Sequence, residues 1–306
     1  MKKTDKKVLF APLTVVAMLL LLLLFDILNI TDADSAPEIL LRIIAVQVLV
    51  FVMPALFYAF AMKVRFVKNT ALRPFAPSRI ALIITLLGVM VTGSFLISVA
   101  SNLILGSEGS SSTATTELYG AISAEGGALL TVLAVCVIPA LCEEFAFRGV
   151  LLSQLRHCRA FPACLVCALL FATVHFDLHN FVSNVFCGLV LGWLVMVTRS
   201  LIASMVLHAL YNVTVLFALP YIWRVTLEPM GTLFAIFLLA GFFLLCLGAS
   251  LGEAQAIYNE YALELPPDSE ENGKSKMSVW RGAANLAKSP GIWVCIVIFV
   301  LAVTLS

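Results

Sequence analysis

Nine apolar stretches, most of them about twenty residues long, take up the greater part of this chain and leave it few ways to fold. They run roughly 8–30, 39–62, 80–102, 126–147, 160–177, 180–198, 200–219, 231–251 and 291–305. Twenty residues of α-helix rise about 30 Å, the thickness of a bilayer's hydrocarbon core. In that core no water is present to hydrogen-bond the backbone, so a spanning segment must satisfy its own N–H and C=O groups. A β-barrel would show short alternating segments of about ten residues, and none recurs here. Charged residues make up only 12% of the chain, and hydrophobic ones 61%. A soluble domain carries about twice that share of charge. The expected fold is an all-α polytopic transmembrane bundle of eight or nine spans, the ninth stretch being short.

The basic residues set an orientation. Lys2, Lys3, Lys6 and Lys7 precede the first stretch, and Lys63, Arg65, Lys68, Arg73 and Arg79 follow the second. Arg148, Arg156 and Arg159 follow the fourth, Arg199 follows the sixth, and Lys274, Lys276, Arg281 and Lys288 precede the last. Alternating spans put 17 of the 19 basic residues on one side, leaving only Arg42 and Arg224 elsewhere. Positive loops stay in the cytoplasm, so the N-terminus is expected there. The opposite loops, 31–38 and 103–125, carry acids and no base. The run from Val8 to Phe25 is longer than the h-region of a signal peptide, and it reads as an uncleaved first span, with cleavage near Ala33–Ala36 as the alternative. Residues 252–290, with Pro266, Pro267 and the polar run 268–273, read as a cytoplasmic linker. The chain divides into spans one to three (1–119), a polar-marked core (120–220) and C-terminal spans (221–306). Eight cysteines lie mostly in apolar stretches, which argues against a disulfide framework, and Cys164 and Cys167 read as small core residues. No basic stripe interleaved with aromatics supports nucleic-acid binding.

An ionisable group inside a membrane helix is costly and calls for a reason. Glu143 and Glu144 close the apolar run 128–142, His175 follows 163–174, and His208 and Asn212 interrupt 201–217. Counting from cytoplasmic ends near Arg156 (the fourth helix continuing past 147), Ala160 and Ser200, Glu143, His175, His208 and Asn212 lie roughly 20, 22, 12 and 18 Å deep. Four polar groups from three helices thus reach the middle of the bilayer, where together they would line a polar cavity. Glu144 and Arg148 are spaced as an i,i+4 ion pair, which leaves Glu143 on another face without a local partner. His208 and Asn212, four apart, share one face. Each feature also has a structural reading. A buried acid needs a base, and a lone histidine or a His/Asn pair can simply bond between helices. His157, beside Arg156 and Arg159, and His179, in the turn 177–180, read as interface residues outside the site.

In order, Glu143-Glu144-x-x-x-Arg148, Phe171-x-x-x-His175 and His208-x-x-x-Asn212 resemble the three motifs of the CAAX protease and bacteriocin-processing (Abi) family of intramembrane peptidases. That family includes the type II CAAX prenyl endopeptidases. The resemblance covers about 120–220. It implies that Glu143 is the base that activates water and that His175 orients this water. It also implies that His208 and Asn212 stabilise the oxyanion, while Glu144, Arg148 and Phe171 support the site. Amide hydrolysis does need an activated water, a proton for the leaving amine and an oxyanion site.

Two mechanisms stay open at this level. A metal-free, glutamate-dependent one needs no cofactor; the alternative is a Zn2+ ion on Glu143, His175 and His208. No HExxH pair is present to decide between them. No GxSG or GxGD motif lies on a span, which argues against serine and aspartyl intramembrane proteases. The resemblance implies a membrane-associated peptide or protein substrate, prenylated in the eukaryotic case and a pheromone or bacteriocin leader in a bacterial one. The lysine-rich start and compact loops suit a bacterial cytoplasmic membrane. A non-catalytic immunity or scaffold protein of the same family is the competing function. A transporter with a protonatable midplane glutamate lacks the inverted repeat it would need.

Overall fold

The computed structural model describes residues 9–28, 36–64, 72–106, 127–155, 160–218, 221, 229–264, 283–284 and 286–305. The four N-terminal lysines, His157 with its flanking arginines, the acids of 107–125 and the polar run 268–273 lie outside the described residues. So do Asp32 and Asp34.

Among the described residues every regular element is helical. Nine apolar helices follow one another: α1 Leu13–Ile27, α2 Glu38–Ala61, α3 Pro77–Leu105, α4 Leu129–Leu155, α5 Ala160–Thr173, α6 Phe181–Thr198, α7 Leu201–Phe217, α8 Met230–Tyr261 and α9 Pro290–Leu305. Helices α2, α3, α4, α6 and α8 are long and apolar enough to cross a bilayer, while α1, α5, α7 and α9 are shorter. Large apolar side chains point outward all around the bundle: Phe57 is 78% exposed and Phe237 77%. Only 6% of the apolar window of α8 is buried within the protein. Patches of that extent are untenable in water and are normal against lipid.

Helix α4 runs on past 147 to Leu155, and two further helix ends differ from the sequence expectation. Helix α5 stops at Thr173, short of 177, and His175 sits in the turn beyond it. There Phe176 takes a left-handed φ of 47°, and Asp177 captures the Asn180 backbone N–H at 3.0 Å and the Asn180 side-chain amide at 2.7 Å. An aspartate that bonds its own local backbone competes with helix and ends it. Helix α8, expected to end near 251, stays helical through Glu264. Hydropathy marks where apolarity ends, and glutamate, glutamine and alanine continue a helix readily into a polar region. This polar extension is anchored. Glu260 pairs with Arg79 at 2.8 Å, and the Tyr261 hydroxyl donates to the Thr198 carbonyl at 3.3 Å, holding α8 against the α6–α7 turn.

Prolines shape the helices that carry the site. Val48–Val52 in α2 and Val132–Val137 in α4 are wide π-turns, and Pro54 and Pro139 follow them. A proline lacks the N–H its helix needs and crowds the carbonyl four residues back, so the preceding turn widens. Phe145–Leu151 is a third π-segment, so Glu143 and Glu144 end a short α-helical piece, Ile138–Glu144, between two loosened turns.

Helices α5 and α6 meet closely at Gly188 and Gly192. A Cβ on Gly188 would lie 2.9 Å from Ala168 Cβ and 3.0 Å from Ala168 Cα; one on Gly192 would meet the Cys164 thiol at 3.2 Å. Small residues four apart let two helices approach backbone to backbone. Gly188→Val is expected to cost about 1–3 kcal/mol and to lower activity, because the same turn holds Arg148. Gly192→Ala should cost less, its neighbour being a movable thiol. Thermal unfolding of the two purified variants checks this, and equal losses would refute the close-packing account. Cys164 is free and buried on this interface, and Cys167 is free and buried against α4, its thiol donating to the Phe147 carbonyl at 3.4 Å, as core residues should be.

Candidate active site

Successive helical residues point about 100° apart, and this splits the two glutamates of α4. Glu144 turns into the bundle and is fully buried. Its Oε1 accepts from Arg148 Nη1 at 2.6 Å and lies 2.9 Å from His208 Nδ1, and its Oε2 accepts from the Ser204 hydroxyl at 2.5 Å. Arg148 also donates to the Gly188 carbonyl at 3.1 Å. The close approach of α6 at that glycine therefore supplies an acceptor for the arginine. The expected Glu144–Arg148 pair is present, and it is buried on both sides.

Glu143 faces the other way, into a cavity of about 320 Å³ lined by Glu143, His175, His208 and Asn212 together with Gln47 and Pro139. The four residues singled out in the sequence thus converge on one space from α4, the turn after α5, and α7. Glu143 Oε2 lies 4.0 Å from His208 Nε2. Asn212 donates one amide hydrogen to the Cys136 carbonyl at 3.3 Å, within the π-turn of α4. An amide nitrogen has two hydrogens, so a second remains for a ligand. His175 is exposed at the cavity mouth, its ring edge-on to Phe171 at 5.0 Å. Phe171 also meets His208 edge-on at 6.0 Å and lies under the Arg148 guanidinium at 4.5 Å. One ring thereby aligns both histidines and the arginine. His179 stands in the turn after α5 and does not line the cavity.

The tautomer of His208 follows from its neighbours. Glu144 accepts from Arg148 and Ser204 and is a carboxylate, which can only accept. His208 Nδ1 must therefore carry a hydrogen and donate it, which turns Nε2 toward the cavity and Glu143. Among the described residues no group of three His, Cys, Asp or Glu side chains is spaced to hold one metal ion, so Glu143, His175 and His208 as arranged do not make a three-ligand cage.

Two residues of this region were not singled out in the sequence. Ser204 precedes His208 by four, so Ser204, His208 and Asn212 form one polar stripe on α7. Gln47 is the one amide in the apolar run 43–57. It lines the same cavity as Glu143.

Residues 125–214 match the family described as type II CAAX prenyl endopeptidase, Rce1-like. This stretch, less than a third of the chain, is what is similar to a CAAX protease. The matched segment begins just before α4 and ends within α7, so it contains the whole polar constellation except Gln47. Together with the apolar helices, this similarity supports an integral membrane protein. No curated protein and no solved structure matches it.

Proposed function

We propose that this protein is an intramembrane endopeptidase that hydrolyses a peptide bond in a membrane-associated substrate, using Glu143, His175, His208 and Asn212 without a metal. The observation that carries the reading is the shared cavity, in which the Glu143 carboxylate, 4.0 Å from His208 Nε2, shares one space with His208 and Asn212, both with hydrogens to give. A protein that only binds a partner has no need of so costly a group at that place.

Charge balance supports the same roles. Glu143, Glu144, Arg148 and His208 sum to zero when Glu143 is ionised and His208 carries both its hydrogens. They sum to zero again when one proton moves from His208 to Glu143, across 4.0 Å. A net-neutral cluster is the one a low-dielectric surrounding tolerates. In the first state Glu143 is a base and His208 Nε2–H is a donor aimed into the cavity.

Hydrolysis then proceeds in two steps. Water, oriented by His175, loses a proton to Glu143 as its oxygen bonds to the scissile carbonyl carbon. The carbonyl π pair moves onto oxygen, where His208 Nε2–H and the free Asn212 N–H receive the negative charge. The C–N bond then breaks as the oxyanion collapses, and Glu143 returns its proton to the leaving amine. The products are a carboxylic acid and an amine, and the enzyme regains its first state.

The test is cleavage of a fluorogenic, farnesylated CAAX-type peptide by detergent-purified protein, with and without a zinc chelator. Cleavage is expected, is expected to resist chelation, and should fall by about 10²–10³ in His208→Ala, the usual loss for an oxyanion donor. Loss on chelation with rescue by zinc would overturn the metal-free mechanism. Full activity of His208→Ala would overturn the oxyanion assignment.

A further inference from the structure

Three arginines from separate stretches of the chain meet at the end of the bundle where α8 turns from apolar to polar. Arg73 precedes α3, Arg79 lies in its first turn, and Arg199 links α6 to α7. The stretches are clasped together. Arg73 Nε donates to the Arg199 carbonyl at 2.8 Å, and the Ser200 hydroxyl donates to the Arg73 carbonyl at 2.6 Å. Arg199 lays its guanidinium on the Tyr261 ring at 4.2 Å, and that of Arg79 stands over the same ring at 5.8 Å. Arg79 has an acid, Glu260 at 2.8 Å. Among the described residues neither Arg73 nor Arg199 has a carboxylate partner, so three cations share one anion here.

Arg73 and Arg199 are exposed, and each is held in place without being used up. A guanidinium has five N–H bonds. Arg73 spends Nε on the Arg199 carbonyl, which fixes the side chain and leaves its Nη fork. A ring takes the face of a guanidinium and not its edge, so Tyr261 fixes Arg199 and leaves its N–H groups. Arg199 also stands where the backbone suits glycine, at φ 54° and ψ 28° just past the end of α6. A glycine would close that helix more easily, so the side chain is what the position has to justify. The surroundings point to the ligand. Leu72, beside Arg73, Ile80 and Ile84, on one face of α3, and Tyr258 on α8 are exposed apolar side chains. An apolar surface that ends in unpaired cations suits a bilayer boundary, with acyl chains against the first and phosphates against the second.

We propose that Arg73 and Arg199 form a binding site for the headgroup of an anionic phospholipid, seated at the α6–α7 turn with its acyl chains along the exposed apolar flank of α3. Charge complementarity carries the choice. The cluster has two positive charges in excess, and a phosphodiester offers paired anionic oxygens that fit a guanidinium fork. A zwitterionic lipid brings its own cation to the same place and gains less. The site adjoins the start of α7, where the Ser200 hydroxyl that donates to Arg73 also accepts from the Ala203 N–H at 3.3 Å. Helix α7 carries Ser204, His208 and Asn212, so a lipid that ties Arg73 to Arg199 also steadies the helix on which the cavity depends. The inference goes beyond the peptidase reading and stands without it.

The probe is phosphatidylglycerol with a fluorophore at the end of one acyl chain, titrated into the whole chain purified in detergent. Unlabelled phosphatidylglycerol, phosphatidylcholine and inorganic phosphate serve as competitors. Phosphatidylglycerol should displace the probe, and the other two at the same concentration should not. Arg199→Gly removes one cation where glycine suits the backbone, and it keeps the carbonyl that Arg73 holds. Probe affinity should fall about fivefold, the share of one arginine at an anionic surface. Arg73→Gln should lose about as much, and the double variant more than either. Arg42→Gln, which removes a cation already paired with Glu38 at 2.6 Å, should bind as wild type does. Phosphatidylglycerol should also raise the unfolding midpoint of wild type and leave that of the double variant unmoved. Displacement by phosphatidylcholine as effective as by phosphatidylglycerol would overturn the anionic choice, and displacement by inorganic phosphate would make this a site for the free anion and overturn the lipid. A double variant that binds as wild type does would overturn the arginines. If the double variant does not fold, Arg199→Gly decides alone, and wild-type affinity in it overturns the site. None of these readouts depends on peptide cleavage.

Discussion

Glu143→Gln is expected to abolish peptide cleavage, with kcat reduced by about 10²–10⁴, the usual contribution of a general base. The exchange keeps the shape of the side chain, and it removes only the capacity to take a proton from water. Glu143 does not hold the bundle together. Its carboxylate faces the cavity, and the ion pair that ties the helices belongs to Glu144 and Arg148. Thermal unfolding of Glu143→Gln should therefore coincide with that of wild type. The measurement is single-turnover cleavage in detergent or nanodiscs, beside an unfolding curve on the same preparation. Activity within tenfold of wild type would remove Glu143 from the role of base, and a large drop in stability would show that it was structural after all.

Much of this site was legible in the sequence, because cost is legible. Glu143, Glu144, His175, His208 and Asn212 stand out as the polar groups that apolar helices have to justify, and four of them do line one cavity. The pairing of Glu144 with Arg148 followed from spacing alone. The partition of the two glutamates followed from the 100° between neighbours. Three-dimensional closure was not legible. Hydropathy sees where a helix is apolar and not where its backbone turns, so the apolar pattern runs on to 177, past the end of α5 at Thr173. His175 turned out to be a turn residue at the cavity mouth and not a mid-helix one.

Gln47 shows a different kind of omission. It satisfies the criterion that found Glu143, being the one amide in a long apolar run, but an amide costs less than a carboxylate in such a place and attracts less notice. Ser204 escaped for a related reason. A serine hydroxyl in a membrane helix can bond back to its own helix, so its presence demands nothing. Here it donates instead to Glu144, and the Ser204-x-x-x-His208-x-x-x-Asn212 periodicity is the signal that was available. The close contact of α5 with α6 at Gly188 and Gly192 was likewise written as small residues four apart. It gained meaning only when the Gly188 carbonyl proved to accept from Arg148.

Glu144→Gln should destabilise the bundle by about 3–5 kcal/mol, the usual cost of stripping one partner from a buried ion pair. Glu144 is fully buried and receives three side chains, Arg148, His208 and Ser204, from two helices. Without its charge, Arg148 keeps its positive charge with only the Gly188 carbonyl and the face of Phe171 to offset it. Replacing the cation as well, in Glu144→Gln with Arg148→Met, should recover a large part of the lost stability, since an apolar exchange of a buried pair is often neutral. Activity should not recover with it. His208 Nδ1 would no longer face a carboxylate, and the double hydrogen that makes Nε2 a donor would lose its support. Unfolding midpoints and cleavage rates of the two variants separate these claims. Stability that recovers together with activity would mean that the pair serves the fold alone. Stability that fails to recover would mean that Ser204 and His208, more than Arg148, are what Glu144 holds in place.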